Sequence, residues 1–446
     1  MSEKLLEKIK TKKAHIGVLG LGHVGLPTAT IFANVGYSVT GADVKKEVVD
    51  SILSLSLTTK EPRLDEMVKK VVKAGKLRAI TDTILATKQA DVMLICVQTP
   101  LTQSGKPDVK YLKNASRDVA RGLAKGKLVI VVSTVPLGTI KNLLASILEK
   151  ESGLKCGVDF WLAYSPERIL PGNTIEEFVT NVRLVGGFDA KSVELTVELF
   201  KNVKKGKISI TNIANAELAK LAENTFRYVN IAFANELALM CEKMGADVVE
   251  VINLANTHPR VNIHKPGPGV GGPCLTKDPR LLLHPEGHSP FTSKLIECST
   301  ELNDYMAKHI IKLVVKALKD TNRDVKNSNI TVLGAAYKAE VDDTTNSPAE
   351  KIIRELMRLG AKVRVHDPYT NESFGAKYAK SRLEAVKSAD CIVVVTNHKL
   401  FADLPLKQIK LLMNENPVVV DGRRIINFKK AKQEGFVYYG LGFKTE

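Results

Sequence analysis

The sequence predicts an α/β protein with two doubly wound domains joined by a central long-helix domain. Three observations carry this. A βαβ unit with a glycine-rich turn opens the chain, a weaker copy of its strand pattern returns after residue 328, and two long uninterrupted helical stretches lie between. Alternation of short apolar strands with helical runs is the signature of parallel sheets covered on both faces.

The first unit reads in order. His15-Ile-Gly-Val-Leu-Gly20 is a short buried strand, Thr28 to Val35 a helical run, and Tyr37 to Asp43 a second strand ending in an acid. Gly20, Gly22 and Gly25 stand at GxGxxG spacing, and Asp43 follows the first of them by 23 residues. With strand, turn, helix and terminal acid in register, this is the Rossmann-like arrangement for a dinucleotide. The glycines let a pyrophosphate approach unpaired N–H groups at a helix N-terminus. Gly20, Gly22, His23, Val24 and Gly25 are therefore the candidate phosphate turn. Asp43 suits a ribose diol and repels a 2′-phosphate, which favours NAD over NADP. Two further strands, Asp91 to Val97 and Leu128 to Ser133, end in the turns Gln98-Thr99-Pro100 and Ser133-Thr134-Val135-Pro136. Ligands of open α/β sheets bind beyond the carboxyl ends of the strands, so Thr99 and Thr134 are expected at the cofactor.

In the C-terminal part, Asn329 to Gly334 echoes the first strand, Ala361 to Asp367 the second, and Ala389 to Val395 the third. The glycines are missing there, since Ala335-Ala336-Tyr337-Lys338 follows Gly334. The frame is retained while dinucleotide binding is lost, which implies another ligand. Between the two, Ala214 to Lys243 and Ser293 to Lys319 are helical and free of Pro and Gly. The expected division is 1–205 for the NAD-binding domain, 206–320 for a helical dimerisation domain with the cysteine loop, and 321–446 for a second Rossmann-like domain. The apolar face of the long helix is the expected homodimer interface, although such a face also suits a core within one subunit.

Composition narrows the function classes. Lys and Arg total 65 against 48 Asp and Glu, a net charge of +17. The chain has no recognition helix, zinc-finger spacing or aromatic-basic stripe to favour nucleic acid; the excess reads as solvated surface with some steering of anionic ligands. No apolar run approaches the roughly 20 residues that span a bilayer, and the charged N-terminus lacks the apolar core of a signal peptide. A cytoplasmic enzyme without membrane insertion is expected. The six cysteines show no CxxC and no clustered pairs, which argues against a disulfide framework or a metal site.

One cysteine differs. In Pro266-Gly-Pro-Gly-Val-Gly-Gly-Pro-Cys274-Leu-Thr-Lys-Asp278-Pro, glycine and proline exclude both helix and central strand. They build a stiff loop presenting a thiol, with Lys277 or a helix starting near Asp278 available to stabilise a thiolate. A small residue at a turn is the plainer alternative, and composition alone does not separate the two. Lys220 and Asn224, at i and i+4, share a helix face and can aim together at a developing charge.

Motif context does separate them. GLGHVGLP (20–27), Thr99-Pro100 after Cys96-Val-Gln, STVPLGT (133–139), SPERILPG (165–172), ELAKLAENTFRYVNIAFANE (217–236), GPGVGGPCLTKDP (267–279), YKAEVDDT (337–344) and DGR (421–423) together resemble the UDP-sugar 6-dehydrogenase family over nearly the whole chain. ERILPG, EEFVTNVRLVGG and HPRVNIHKPGPGVGG resemble its UDP-N-acetyl-D-mannosamine branch.

The resemblance implies a four-electron oxidation of a UDP-N-acetylhexosamine at C6, using two NAD+ and a thioester on Cys274. It implies Lys220 and Asn224 near the oxyanion, and Asp278, Glu167 and Thr134 around the proton-transfer water. A buried Glu167 with a raised pKa suits a base, unless its neighbour Arg168 neutralises it in an ion pair. For the substrate the resemblance implies Glu167, Arg168, Lys220, Asn224, His264, Gly271, Tyr337, Lys338 and Arg423, with Arg260 reaching in from a neighbouring subunit. Pro273 and Thr276 depart from a His before, or a Pro two residues after, the cysteine, and Thr345 replaces an arginine in the family's Asp-Asp-Thr-Arg. UDP-N-acetylglucosamine and UDP-glucose dehydrogenases share the mechanism. A two-electron hydroxyacid dehydrogenase leaves the cysteine loop and the second α/β domain unexplained. A non-catalytic binding protein leaves Cys274, Lys220 and Asn224 without a use.

Overall fold

A computed structural model describes residues 1–59, 61–170 and 172–443; Pro171 of the SPERILPG motif lies outside them. The chain divides into two compact units, Met1–Glu223 with Arg280–Thr292, and Asn224–Pro279 with Ser293 onward.

The first unit holds an eight-stranded sheet. Its strands are β1 (His15–Leu19), β2 (Ser38–Ala42), β3 (Leu77–Ile80), β4 (Val92–Ile95), β5 (Leu128–Val131), β6 (Trp161–Tyr164), β7 (Arg183–Gly187) and β8 (Ile208–Asn212). They lie in the order β3-β2-β1-β4-β5-β6-β7-β8, parallel except where β7 runs against β6. The apolar runs of the sequence follow from burial on both faces. Val18, Leu94 and Ile130 face one core, while Leu19, Ile95 and Val131 face the other. The helix after the glycine turn is Gly25–Asn34, starting three residues before the run read from Thr28. Pro27 does not prevent this, because an N–H in the first turn has no intrahelical partner to lose.

The second unit repeats the plan with β9 (Asn329–Leu333), β10 (Lys362–His366), β11 (Lys377–Tyr378), β12 (Cys391–Val394), β13 (Val418–Asp421) and β14 (Val437–Gly440), ordered β11-β10-β9-β12-β13-β14 and all parallel. The first six strands of the first sheet have the same order, so the weak sequence echo reports a repeated fold. The repeat extends to detail: Asp91 Oδ2 accepts from His15 N at 2.9 Å, and Asp390 Oδ2 from Asn329 N at 2.7 Å. The helices Ile213–Met244 and Lys294–Lys319 match the two stretches without Pro or Gly. In the second unit, Ala234, Ala238, Met306 and Ile310 from these helices share a core with Val332 and Val393. Among the described residues no helix is long and apolar enough to cross a membrane.

Candidate active site

In each sheet the strand order reverses between the first and fourth strands of its repeat, the point where open α/β sheets take ligands. The first unit has the cofactor turn there. Gly20 adopts φ +87°, and a Cβ on Gly25 would sit 1.7 Å from Gly20 O. A Cβ on Gly22 would meet nothing within 4 Å, so that edge of the turn is open for a pyrophosphate. Asp43, half-buried, accepts Leu21 N at 2.8 Å and Lys45 N at 2.9 Å, one on each oxygen. These bonds orient the carboxylate and leave lone pairs for a diol. The residues fit NAD.

Thr99 Oγ1 donates to Thr134 O at 2.6 Å, and Ser133 Oγ to Val97 O at 2.6 Å, stitching together the turns after β4 and β5. The second turn is anchored by a residue that sequence reasoning missed. Glu217, 1% exposed, accepts Gly138 N at 2.7 Å and Ile140 N at 2.9 Å. Burial pushes its carboxyl up to about 7, against the pull of those two N–H groups and of Lys141. Its position three residues before Lys220 on a helical face was the available signal.

Glu167 and Arg168 follow β6. The sequence reading offers Arg168 as the neutralising partner of Glu167, and the structure corrects this. Glu167 Oε2 lies 2.6 Å from Arg183 Nη1. The Arg168 guanidinium instead engages Glu223 with two nitrogens, at 3.0 and 2.6 Å. Arg183 also donates to Ser165 Oγ at 2.9 Å and to Ser165 O at 3.1 Å, and its guanidinium lies over the rings of Phe178 and Phe200. A lone arginine in an apolar strand run was the signal missed. Burial pushes the Cys96 thiol up to about 12 and raises the Cys391 thiol as well.

The second unit carries the cysteine loop. Cys274 is exposed; Lys277 N and Asp278 N both donate to its carbonyl, at 3.0 and 2.9 Å, and the helix Asp278–Leu283 follows. Asn224 Nδ2 donates to Asp278 Oδ2 at 2.6 Å. The other oxygen, Oδ1, is buried without a hydrogen-bond partner among the described residues. An orphaned carboxylate oxygen costs free energy unless a ligand or water fills its shell. Lys220 is buried one turn before Asn224 on the same helix.

The glycines of the loop allow close packing on the second nucleotide fold. A Cβ on Gly271 would lie 2.7 Å from Tyr337 Cβ, and one on Gly272 (φ +88°) 2.6 Å from Tyr337 Cε2. Gly272 N donates to Thr345 O at 2.8 Å. Thr276, one of the departures from the family pattern, donates to Gly272 O at 2.6 Å and accepts from Asn346 Nδ2 at 3.0 Å. Thr345 and Thr276 therefore both tie the cysteine loop to the 337–346 segment. The loop's approach is clamped by two asparagines of the long helix that were not singled out. Asn230 Oδ1 accepts from His264 N at 2.8 Å, and Asn235 Oδ1 from Gly267 N at 2.9 Å. His264 Nε2 is buried without a partner among the described residues. Burial, then the charge of Arg227, depresses its pKa. Burial and the charges of Asp343 and Cys274 raise that of Tyr337, opposed by Arg227. Arg423 Nε donates to Val395 O at 2.7 Å, and burial lowers its pKa only to about 10, so it remains a cation for a phosphate. Arg260 is exposed.

A dinucleotide fold, a second nucleotide fold without the glycine turn, and a stiff cysteine loop packed on that second fold define an NAD-dependent oxidoreductase that also binds another nucleotide. The chain belongs to the UDP-glucose/GDP-mannose dehydrogenase family: the NAD-binding domain of that family matches residues 14–204, its central domain 214–305 and its UDP-binding domain 331–428. It is 43% identical to a UDP-N-acetyl-D-mannosamine dehydrogenase of Pyrococcus horikoshii over 96% of this chain and 99% of the relative. A Methanocaldococcus jannaschii protein of the same name is 37% identical over 97% and 98%. Among solved structures, the Pyrococcus horikoshii enzyme superposes with a TM-score of 0.89 at 42% identity, covering 96% of this chain and 99% of that one. An NDP-N-acetyl-D-galactosaminuronic acid dehydrogenase of Methanosarcina mazei superposes with 0.86 at 34% identity, covering 98% of each.

Proposed function

We propose that the chain is a UDP-N-acetyl-D-mannosamine 6-dehydrogenase, converting the sugar CH2OH to a carboxylate. The observation that carries the reading is the packing of the Cys274 loop on Tyr337 through Gly271 and Gly272, which joins a nucleophile to the segment implied in UDP binding. The relatives named above support the choice of sugar. The division into 1–205, 206–320 and 321–446 is part of the same reading, supported by the three matched domains.

Two NAD+ in succession, held by the Gly20–Gly25 turn and Asp43, would supply the hydride acceptors for the alcohol and for the sulfur adduct, while the proton of the C6 hydroxyl leaves to the water at Asp278. The residues do the rest. The Cys274 thiolate adds to the C6 aldehyde to give a thiohemiacetal, and loss of the second hydride leaves a thioester. Lys220 and Asn224 stabilise negative charge on the C6 oxygen. The open oxygen of Asp278 takes a proton from the water that hydrolyses the thioester, returning Cys274 and the acid. Asn224, by holding the other Asp278 oxygen, fixes that direction. Thr134 and Glu167 order that water, Glu167 being held in place by its pair with Arg183. Tyr337, Lys338, Arg423 and His264 hold the UDP-sugar, with Arg260 reaching in from a second copy of the chain.

The protein acts as a cytoplasmic homodimer in this reading. Phe226, Phe233 and Met240, at seven-residue spacing on the long helix, are exposed together with Met244 and Leu295, an apolar stripe suited to a second copy. Light scattering at micromolar concentration tests it, and a monomer there contradicts it.

The decisive assay counts NADH released per sugar across UDP-N-acetylmannosamine, UDP-N-acetylglucosamine, UDP-N-acetylgalactosamine and UDP-glucose. Two NADH per UDP-N-acetylmannosamine, with a uronate product, is expected. One NADH per sugar, or preference for another hexose, overturns the chemistry or the sugar respectively.

A further inference from the structure

The two nucleotide folds treat their ribose-type acid in opposite ways. Asp43 and Asp367 each stand one residue beyond the second strand of their repeat, after β2 and β10. Each turns an oxygen to the amide two residues past the first strand, Leu21 N at 2.8 Å and Ala335 N at 2.8 Å. There the likeness ends. Asp43 is half-buried, whereas Asp367 is 1% exposed and also accepts from Ala336 N, Tyr369 N, Thr370 N and the imidazole of His398.

His398 is fully buried beyond the end of β12. Its Nε2 lies 3.0 Å from Asp367 Oδ2, and its Nδ1 accepts from Glu340 N at 3.0 Å. An Nδ1 that accepts leaves the ring proton on Nε2, pointing at the carboxylate. The ring stacks on Tyr369 with centroids 5.0 Å apart and meets Phe401 edge-on at 5.4 Å. A flat, hydrogen-bonding ring thus stands on the acid that in the first fold is left for a ribose.

We infer that His398 is a positioning residue for the UDP site, an internal group that occupies the second fold's ribose acid and uses it to hold the loop bearing Tyr337 and Lys338. The inference rests on the reading of that loop as a UDP-binding segment. Both ends of the span are pinned. On one side Asp367 holds Ala336 N at 3.0 Å and Thr396 Oγ1 donates to Ala336 O at 2.6 Å. On the other, His398 holds Glu340 N, and Glu340 itself is kept at φ +61°, a conformation a glutamate adopts only when its surroundings enforce it. The Glu340 carboxylate is fixed in turn by Lys399 N at 2.9 Å and the Tyr369 hydroxyl at 2.6 Å. Only Tyr337, Lys338 and Ala339 lie between the two anchors.

The test uses the full-length protein, with UDP as the calorimetric probe and NADH release as the kinetic one. His398→Phe keeps the ring and its stacking and loses both hydrogen bonds, while His398→Gln can still donate to Asp367 and accept from Glu340. Expected are a UDP affinity about tenfold weaker in the Phe variant, a matching rise in the UDP-sugar KM, a kcat within about threefold, and recovery of most of the affinity in the Gln variant. NAD+ affinity stays put in both. Native UDP affinity in His398→Phe overturns the inference, and so does equal loss in Phe and Gln variants that tracks their melting temperatures. Tyr337→Ala and Lys338→Ala separate the underlying reading: if neither weakens UDP, the loop is not the UDP site. Faster amide exchange at Glu340 in His398→Phe then still reports whether the histidine holds the loop.

Discussion

The guanidinium of Arg183 faces the Glu167 carboxylate at 2.6 Å, with only 2% and 9% of the two side chains exposed. A charge pair so dry is stable only as a pair, because removing either partner strands the other in a medium that cannot solvate it. The two residues stand 16 positions apart, on β7 and on the loop after β6, so the pair fixes the course of the SPER segment.

Arg183→Met is therefore expected to lower stability by about 3–5 kcal/mol, read as a shift in the urea midpoint. Adding Glu167→Gln to it recovers part of the loss, since the stranded charge is gone. If the double variant is no more stable than Arg183→Met, the pair is not what the arginine contributes.

Asp43 offers a cleaner test on the cofactor side, because its carboxylate is already oriented by Leu21 N and Lys45 N. Asp43→Ala removes hydrogen bonds to a charged acceptor, worth about 1.5–3 kcal/mol. NAD+ affinity falls by about tenfold or more, and NADP+ gains relative to it because the repulsion of a 2′-phosphate is gone. Identical NAD+ and NADP+ kinetics before and after the change remove Asp43 from the ribose.

Local signals made the frame legible in the sequence, and long-range pairing hid the rest. The apolar runs at 15–20, 91–97 and 128–133 became parallel strands because burial on both faces demands continuous hydrophobicity. The helices without Pro or Gly came out within a residue at each end. Arg183 is marked only as a charge within an apolar run, and Asn235 and His398 carry no local mark at all. Their roles come from partners 16, 32 and 58 residues away in Glu167, Gly267 and Glu340. Arg168 shows the consequence: adjacency offered it as the alternative partner of Glu167, while the β7 strand brought a better-buried guanidinium to the same carboxylate. Gly271 and Gly272 were legible as a stiff loop, yet what they make room for, the Tyr337 ring, was not.

For the chemistry, Cys274→Ala leaves the loop and Asp278 intact and removes only the nucleophile. Uronate formation is expected to fall by about three orders of magnitude or more, measured by chromatography of the UDP-sugar products. Uronate produced at the native rate by this variant assigns the oxidation to some other group.

Glu217 predicts a pH dependence whose sign is fixed. Its carboxyl moves from the ordinary 4.5 to about 7 on folding because burial outweighs the two N–H groups it accepts. Between those values the folded protein holds a proton that the unfolded chain has released. Stability from this residue is thus present below pH 4.5, drains away as pH rises towards 7, and is gone above it. The gap corresponds to about 3 kcal/mol, the residue being almost wholly buried. Glu217→Gln cannot titrate, and every other group titrates alike in both proteins. The stability difference between Gln variant and native protein should therefore move in the variant's favour from pH 5 to pH 8, whatever its starting sign, because the amide keeps no charge to bury while still accepting one N–H from the Gly138–Ile140 turn. Urea midpoints at pH 5, 6, 7 and 8 measure it, and two curves that stay parallel across that range mean that the carboxylate enters the folded protein already ionised.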